Sequence, residues 1–185
     1  MTLSVKIVTT ANRTLNFVQS DEAAIQDIIK SLGKAGQLFA GRTLIIGSDK
    51  ETQIIAPGSL TRIEIETQRD LQNSVPQMNE AQKLTLIEGN ASTPPSGISD
   101  THIATRVDCF FEGGDTLALW IEGPRPNNST DRMSRMTRLF DLPVMIYRLP
   151  AGGIGLLNPA KLTRIRLDTA ADQLPVGTWQ LNPAG

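Results

Sequence analysis

One stretch of this chain occurs twice, and that repetition limits the possible folds more than any other feature of the sequence. Residues 60–67 read LTRIEIET and residues 162–169 read LTRIRLDT, so the second stretch starts 102 residues after the first. Pro57 and Pro159 stand at the same spacing, just before the two stretches. A long-range internal repeat indicates copies of one supersecondary unit. The sequence therefore predicts a tandem duplication.

The duplication divides the chain into four parts. We name them the N-terminal half (residues 1–67), the connector (68–103), the C-terminal half (104–169) and the C-terminal arm (170–185). In each half the apolar periodicity predicts two strands, one helix and three further strands. The connector is rich in Gln, Asn, Ser and Pro, which indicates loop, with one strand predicted at residues 83–88. The expected fold is α+β: two ββαβββ units with a mainly antiparallel sheet, related by a pseudo-twofold axis.

Apolar spacing also predicts which side chains are buried. Helical stripes are predicted at Ile25, Ile28, Ile29 and Leu32 in the first helix, and at Met133, Met136 and Phe140 in the second. Ser20 is predicted to cap the first helix. The apolar residues of the C-terminal arm are predicted to pack back on the body, namely Leu174, Val176, Trp179 and Leu181.

The repeated strand alternates charged and apolar residues, and its charges differ between the two copies. Antiparallel pairing of the copies would set Arg62 against Asp168, Glu64 against Arg166, and Glu66 against Arg164. Each of these pairs is opposite in sign, which favours such a register. We therefore predict that the two strands pair directly across the pseudo-twofold axis.

The composition excludes several classes of partner. The chain is 39% apolar and 20% charged, with a net charge of -1, so no overall field favours nucleic acid or anionic membranes. Its first residues form no signal peptide, and no apolar run approaches the ~18 residues of a membrane span. We expect a soluble cytoplasmic protein. Another protein and a second copy of the chain remain the alternatives for a partner.

Residues able to perform chemistry are few. Cys109 is the single cysteine and His102 the single histidine, which excludes a disulfide and leaves too few ligands for structural zinc. These two residues as a thiol and imidazole pair are one hypothesis. The favoured alternative is a buried Cys109, since its neighbours are apolar. The glycines of residues 151–155 are flanked by predicted strands, whereas a phosphate loop precedes a helix, so a hairpin turn is favoured. No cofactor or metal is expected.

Five arginines of the C-terminal half form the one candidate site. Three are spaced along the second helix and two lie on the repeated strand: Arg132, Arg135, Arg138, Arg164 and Arg166. A solvated helix face is the favoured interpretation. The alternative is a patch that binds an anion or a protein partner.

The two halves share scaffold residues but no set of acid, base and nucleophile. This favours a non-enzymatic intracellular module for assembly or ligand binding. The alternative is an enzyme, or an anion-binding protein that uses the basic face of the C-terminal half.

Overall fold

The structure of the protein, a computed structural model, describes residues 2–41, 43–47, 51–76, 82–89, 94, 99–167 and 178–179. The chain forms an α+β structure with one mostly antiparallel mixed sheet and helices packed against it. No helix in these ranges combines the length and the apolar character that a membrane span requires.

The N-terminal half follows the predicted order of strands and helix. Its elements are β1 (Leu3–Thr9), β2 (Thr14–Gln19), α1 (Glu22–Ser31), a short α2 (Ala35–Phe39), β3 (Leu44–Gly47), β4 (Thr52–Ile55) and β5 (Leu60–Glu66). Asp21, and not the predicted Ser20, caps α1, because its carboxylate accepts a hydrogen bond from the N–H of Ala24 at 2.9 Å.

The connector supplies one strand, as predicted, and the C-terminal half supplies the rest. These elements are β6 (Lys83–Leu86), β7 (His102–Phe111), β8 (Thr116–Pro124), α3 (Ser129–Thr137), β9 (Met145–Arg148), β10 (Ile154–Leu157) and β11 (Leu162–Leu167). A 3-10 turn at Arg138–Asp141 follows α3.

Within the described residues, nine strands form one sheet in the order β11-β7-β8-β6-β9-β10-β5-β1-β2, while β3 and β4 form a separate hairpin. All pairings in the large sheet are antiparallel except that of β6 with β9. β6 therefore joins two hairpins of the C-terminal half. The N-terminal half enters the same sheet through the pairing of β10 with β5.

The first and last strands of the two halves pair in the same register. β4 starts at residue 52 and β10 at 154, while β5 starts at 60 and β11 at 162, so both pairs keep a spacing of 102. Lys6 of β1 lies opposite Glu64 of β5, and Asp108 of β7 lies opposite Arg166 of β11, which are the equivalent positions. In each half the last strand is thus paired with the first in the same register.

The predicted direct pairing of the two repeated strands is wrong. β5 lies between β1 and β10, and β11 pairs with β7. The physical reason is that Glu64 and Arg166 each have a partner of opposite sign inside their own half. Glu64 pairs with Lys6 at 2.9 Å, and Arg166 pairs with Asp108.

The helix of the N-terminal half buries the predicted stripe most deeply at its two ends. Ile25 and Leu32 are buried, while Ile28 and Ile29 are half-buried and pack against the same core. In the second helix Met133 and Met136 are half-buried.

The prediction for Phe140 is wrong. Phe140 is 40% exposed, whereas its neighbour Leu139 is only 3% exposed. α3 ends at Thr137, and the following 3-10 turn has fewer residues per turn than an α-helix, which changes the phase of the buried face.

Buried side chains form two cores, one in each half, that meet at β10. Ile154 and Leu156 of β10 pack into the core of the N-terminal half, whereas Leu157 packs into the core of the C-terminal half.

Trp179 of the arm is 86% exposed, so the prediction that it packs on the body is wrong. The other apolar residues of the arm, Leu174, Val176 and Leu181, lie outside the described residues.

Candidate functional site

An apolar groove opens in the N-terminal half between β2 and the β3–β4 hairpin. Its cavity volume is about 350 Å³. Apolar side chains from both halves dominate its lining: Val5, Ile7, Phe17, Val18, Ile28, Leu32, Leu38, Leu44, Ile45, Ile46, Ile63, Ile65 and Leu156. Val18 and Ile45 are 71% and 65% exposed. Concave apolar sites of this size are typical of ligand-binding pockets.

In the C-terminal half, a strand occupies the corresponding place. Thr85 of β6 pairs with Trp120 of β8 on one side and with Arg148 of β9 on the other. The corresponding residues in the N-terminal half are Val18, 102 residues before Trp120, and Gly47, 101 residues before Arg148 because β3 starts at 44 and β9 at 145. Both Val18 and Gly47 line the groove. The groove therefore lies where a strand equivalent to β6 would run.

Local alternation on β5 separates the groove from a buried polar cluster. Ile63 and Ile65 line the groove, whereas Arg62 and Glu64 do not. Successive side chains of a strand point to opposite faces, so the charged pair lies on the far side of β5. α1 contributes Ile28 to the groove, because Ile28 lies on the same helical face as the buried Ile25 and Leu32.

The polar cluster behind β5 is a closed ion network that joins the two halves. Arg62 Nε donates to Asp115 Oδ2 at 2.9 Å, and Arg62 also pairs with Glu64. Glu64 accepts a 2.9 Å hydrogen bond from the Tyr147 hydroxyl and pairs with Lys6 Nζ at 2.9 Å. Two cations thus face two carboxylates, and all except Lys6 are buried.

The charges and the burial of this cluster shift the pKa values of Arg62 and Tyr147. Burial alone would lower the pKa of Arg62, but the hydrogen bond to Asp115 and the nearby acidic groups raise it above its ordinary value. Burial, followed by the charge of Glu64, raises the pKa of Tyr147 well above its ordinary value, so the phenol stays protonated. A Cβ at Gly155 would lie only 2.0 Å from Cζ of the buried Tyr147 ring, so the ring packs closely against the glycine backbone. The cluster is a buried, hydrogen-bonded junction between the two halves.

Two of the predicted patch arginines, Arg132 and Arg135, lie on α3, and Arg138 begins the 3-10 turn that follows it. Arg135 pairs with Asp131 at 2.8 Å, and this hydrogen bond lowers the pKa of the Asp131 carboxyl. Arg132 donates to Thr105 Oγ1 at 3.3 Å. Arg138 is exposed at the end of the helix.

The two arginines of β11 have other neighbours. The Arg164 guanidinium lies 4.0 Å from the centroid of the Phe110 ring. Arg166 Nε donates to Asp108 Oδ2 at 2.9 Å. The five predicted patch residues thus lie on three elements, namely α3, the 3-10 turn after it and β11, and the anion patch stays a prediction.

The hypothesis of a thiol and imidazole pair is wrong. His102 and Cys109 are seven residues apart on the same strand, β7, which separates them by about 23 Å at ~3.3 Å per residue. Cys109 is buried, and burial together with the charge of Asp108 raises the pKa of its thiol to about 12. The glycines Gly152 and Gly153 lie in the turn between β9 and β10, with positive φ of 97° and 98°, as the hairpin interpretation predicts.

None of the five predicted patch arginines lines the groove, which the sequence analysis does not predict as a site. The available signal is the connector strand predicted at residues 83–88, which has no predicted equivalent within the N-terminal half. Within the described ranges, no group of three or more His, Cys, Asp or Glu side chains could hold a metal ion.

Comparison of the chain with protein-family models, curated proteins and solved structures gives no match.

Proposed function

We propose that the protein is a non-enzymatic binding module built by duplication of a ββαβββ unit, and that its groove takes up an extended segment of a protein partner. The observation that carries this proposal is the open groove beside β2, where the equivalent place beside β8 is filled by β6. The C-terminal half thus contains its own added strand, whereas the N-terminal half offers a site for one.

The duplication is supported by a compensated exchange of charge. Lys6 and Glu64 form an ion pair, and the equivalent positions carry Asp108 and Arg166, which also form an ion pair. The signs are reversed while the pairing is kept. Two copies of one ancestral unit that diverged with the pair under constraint account for this pattern.

Strand addition suits the physical properties of the groove. An added strand gains main-chain hydrogen bonds along an unpaired edge, and its alternate side chains enter apolar pockets. β2 is such an edge, since it pairs with β1 alone in the described part of the chain. Burial of Val18, which is 71% exposed, would add to the affinity because apolar area would leave water.

A peptide that copies β6 tests the proposal. A fluorescent peptide with the sequence of residues 82–89 (QKLTLIEG) is titrated with the protein, and binding is followed by fluorescence anisotropy. We expect saturable binding that Val18→Asp weakens by about tenfold or more, equivalent to ~1.4 kcal/mol, because a charge would replace an apolar contact in the groove.

Ile54→Asp is the matched control. Ile54 is 72% exposed and lies on the adjacent hairpin, but it does not line the groove. This variant should bind the peptide as the unchanged protein does. Absence of saturable binding, or equal weakening by both substitutions, would contradict the proposed function.

A further inference from the structure

In the part of the chain that the structure describes, the outer edges of β4 and β11 are unpaired, whereas the corresponding edges of β10 and β5 are paired with each other. In the described part of the chain, β11 pairs with β7 alone and β4 pairs with β3 alone. Their counterparts at the 102-residue spacing, β5 and β10, each pair on both sides, and they pair with each other. An unpaired edge presents free N–H and C=O groups that can pair with another strand. β4 and β11 are thus equivalent to the two strands of the β10–β5 pair, but in the described residues they do not pair with each other.

Two isoleucines of the separate hairpin are exposed, whereas their counterparts in the C-terminal half are packed against a core. Ile45 and Ile54 lie opposite each other on β3 and β4 and are 65% and 72% exposed. Their counterparts Ile146 and Leu156 lie opposite each other on β9 and β10. Those two side chains pack against the core of the other half of the molecule.

A complementary surface exists on the C-terminal half. Leu162, Ile165 and Leu167 of β11 are only partly buried and flank the second core. In the β10–β5 pair, Leu156 lies opposite Ile63. The residues at the 102-residue spacing from these two are Ile54 of β4 and Ile165 of β11, so the same register would place Ile54 opposite Ile165. The junction would place the exposed isoleucines of the hairpin beside these apolar residues of β11.

We infer that a second copy of this chain supplies the missing partner, through antiparallel pairing of β4 of one copy with β11 of the other. Continuity with the β10–β5 junction supports the pairing, because the same two kinds of strand already join the halves inside one chain. Each copy offers one edge of each kind, so two copies can satisfy both pairs of edges, or a chain of copies can extend head to tail. This inference is independent of peptide binding in the groove.

Single-cysteine variants test the inference. Two variants are made, and in each of them Cys109→Ala removes the buried native thiol. The first variant also carries Ile54→Cys, and the second carries Ile165→Cys and a tag that changes its size. When the two are mixed under mild oxidation, we expect a disulfide between chains of different size on a non-reducing gel, because residues opposite each other on adjacent strands approach within disulfide reach.

Thr163→Cys replaces Ile165→Cys in the matched control. Thr163 is exposed on the same strand but two residues out of register with Ile54. Loss of the mixed band in this control is expected. An equal band in the control, or no mixed band with Ile165→Cys, overturns the inference.

Two further measurements complete the test. A chain that carries both Ile54→Cys and Ile165→Cys but cross-links only within itself would show closure inside one copy and overturn the role of a second copy. Light scattering of the unchanged protein should give a dimer or larger assembly, and Ile54→Asp should give a monomer with unchanged circular dichroism. A monomeric unchanged protein would also overturn the inference.

Discussion

The ion network behind β5 allows a stability prediction of defined size. Asp115→Asn removes one carboxylate charge from a network in which the side chains of Arg62 and Asp115 are each 10% exposed. Loss of one partner from a buried ion pair costs about 3–5 kcal/mol, because the remaining charge stays desolvated. Arg62 still contacts Glu64, so we expect the lower end, about 3 kcal/mol.

Urea unfolding followed by circular dichroism at neutral pH measures this change. In a chain of 185 residues, a loss of about 3 kcal/mol corresponds to a fall in Tm of about 6–12 °C. Asp131→Asn is the matched control, since its side chain is 32% exposed and its pairing with Arg135 is screened by water. The control should show a much smaller change.

A double variant separates charge from packing. Replacement of both partners, by Arg62→Met and Asp115→Leu, leaves no unpaired charge between these two positions and should be less destabilised than Asp115→Asn. A loss below about 1 kcal/mol for Asp115→Asn would refute the reasoning, because it would mean that water reaches the network.

Two further predictions concern the C-terminal half. Leu139→Ala should cost about 2–5 kcal/mol in unfolding free energy, whereas Phe140→Ala should cost less than half as much, because only Leu139 is buried; equal losses in urea titrations would contradict the placement of the 3-10 turn. Burial alone would raise the pKa of Asp108, but hydrogen bonds from Arg166 and Arg106 lower it below its ordinary value. A lowered folded-state pKa stabilises the fold above the unfolded pKa of ~3.9, and this contribution disappears as the pH falls through the folded pKa. Asp108→Asn should therefore reduce stability at neutral pH and flatten its acid dependence, and an unchanged acid titration by circular dichroism would count against the ion pair.

Elements with a local period could be predicted from the sequence. The glycine turn at Gly152 and Gly153, the connector strand at Lys83–Leu86 and the last strand of each half match the structure, because alternation and turn residues act over a few positions. The spacing of Phe140 from Met133 and Met136 predicts that it belongs to the buried stripe. That prediction is wrong because α3 ends at Thr137, which changes the phase of the apolar face.

The pairing of strands far apart in the sequence could not be predicted correctly from the sequence. Charge matching predicted that Glu64 lies opposite Arg166, and each charge does find an opposite partner, but within its own half, at Lys6 and Asp108. An alternating strand has two edges, and its charges are compatible with more than one neighbour. Only the competition between β1, β10 and β11 for those edges selects the pairing.

The sequence by itself determined the spacing of 102 residues, the order of strands in each half and the turns between them, because these depend on neighbours along the chain. The tertiary structure alone decided that β6 fills the gap beside β8 while the equivalent gap beside β2 stays open as a groove. It also decided which isoleucines of the β3–β4 hairpin remain exposed. The physical reason is that burial and strand pairing are shared among segments far apart in sequence. A pattern can specify which face of a strand is apolar, but only the packing of the whole chain determines whether that face is covered.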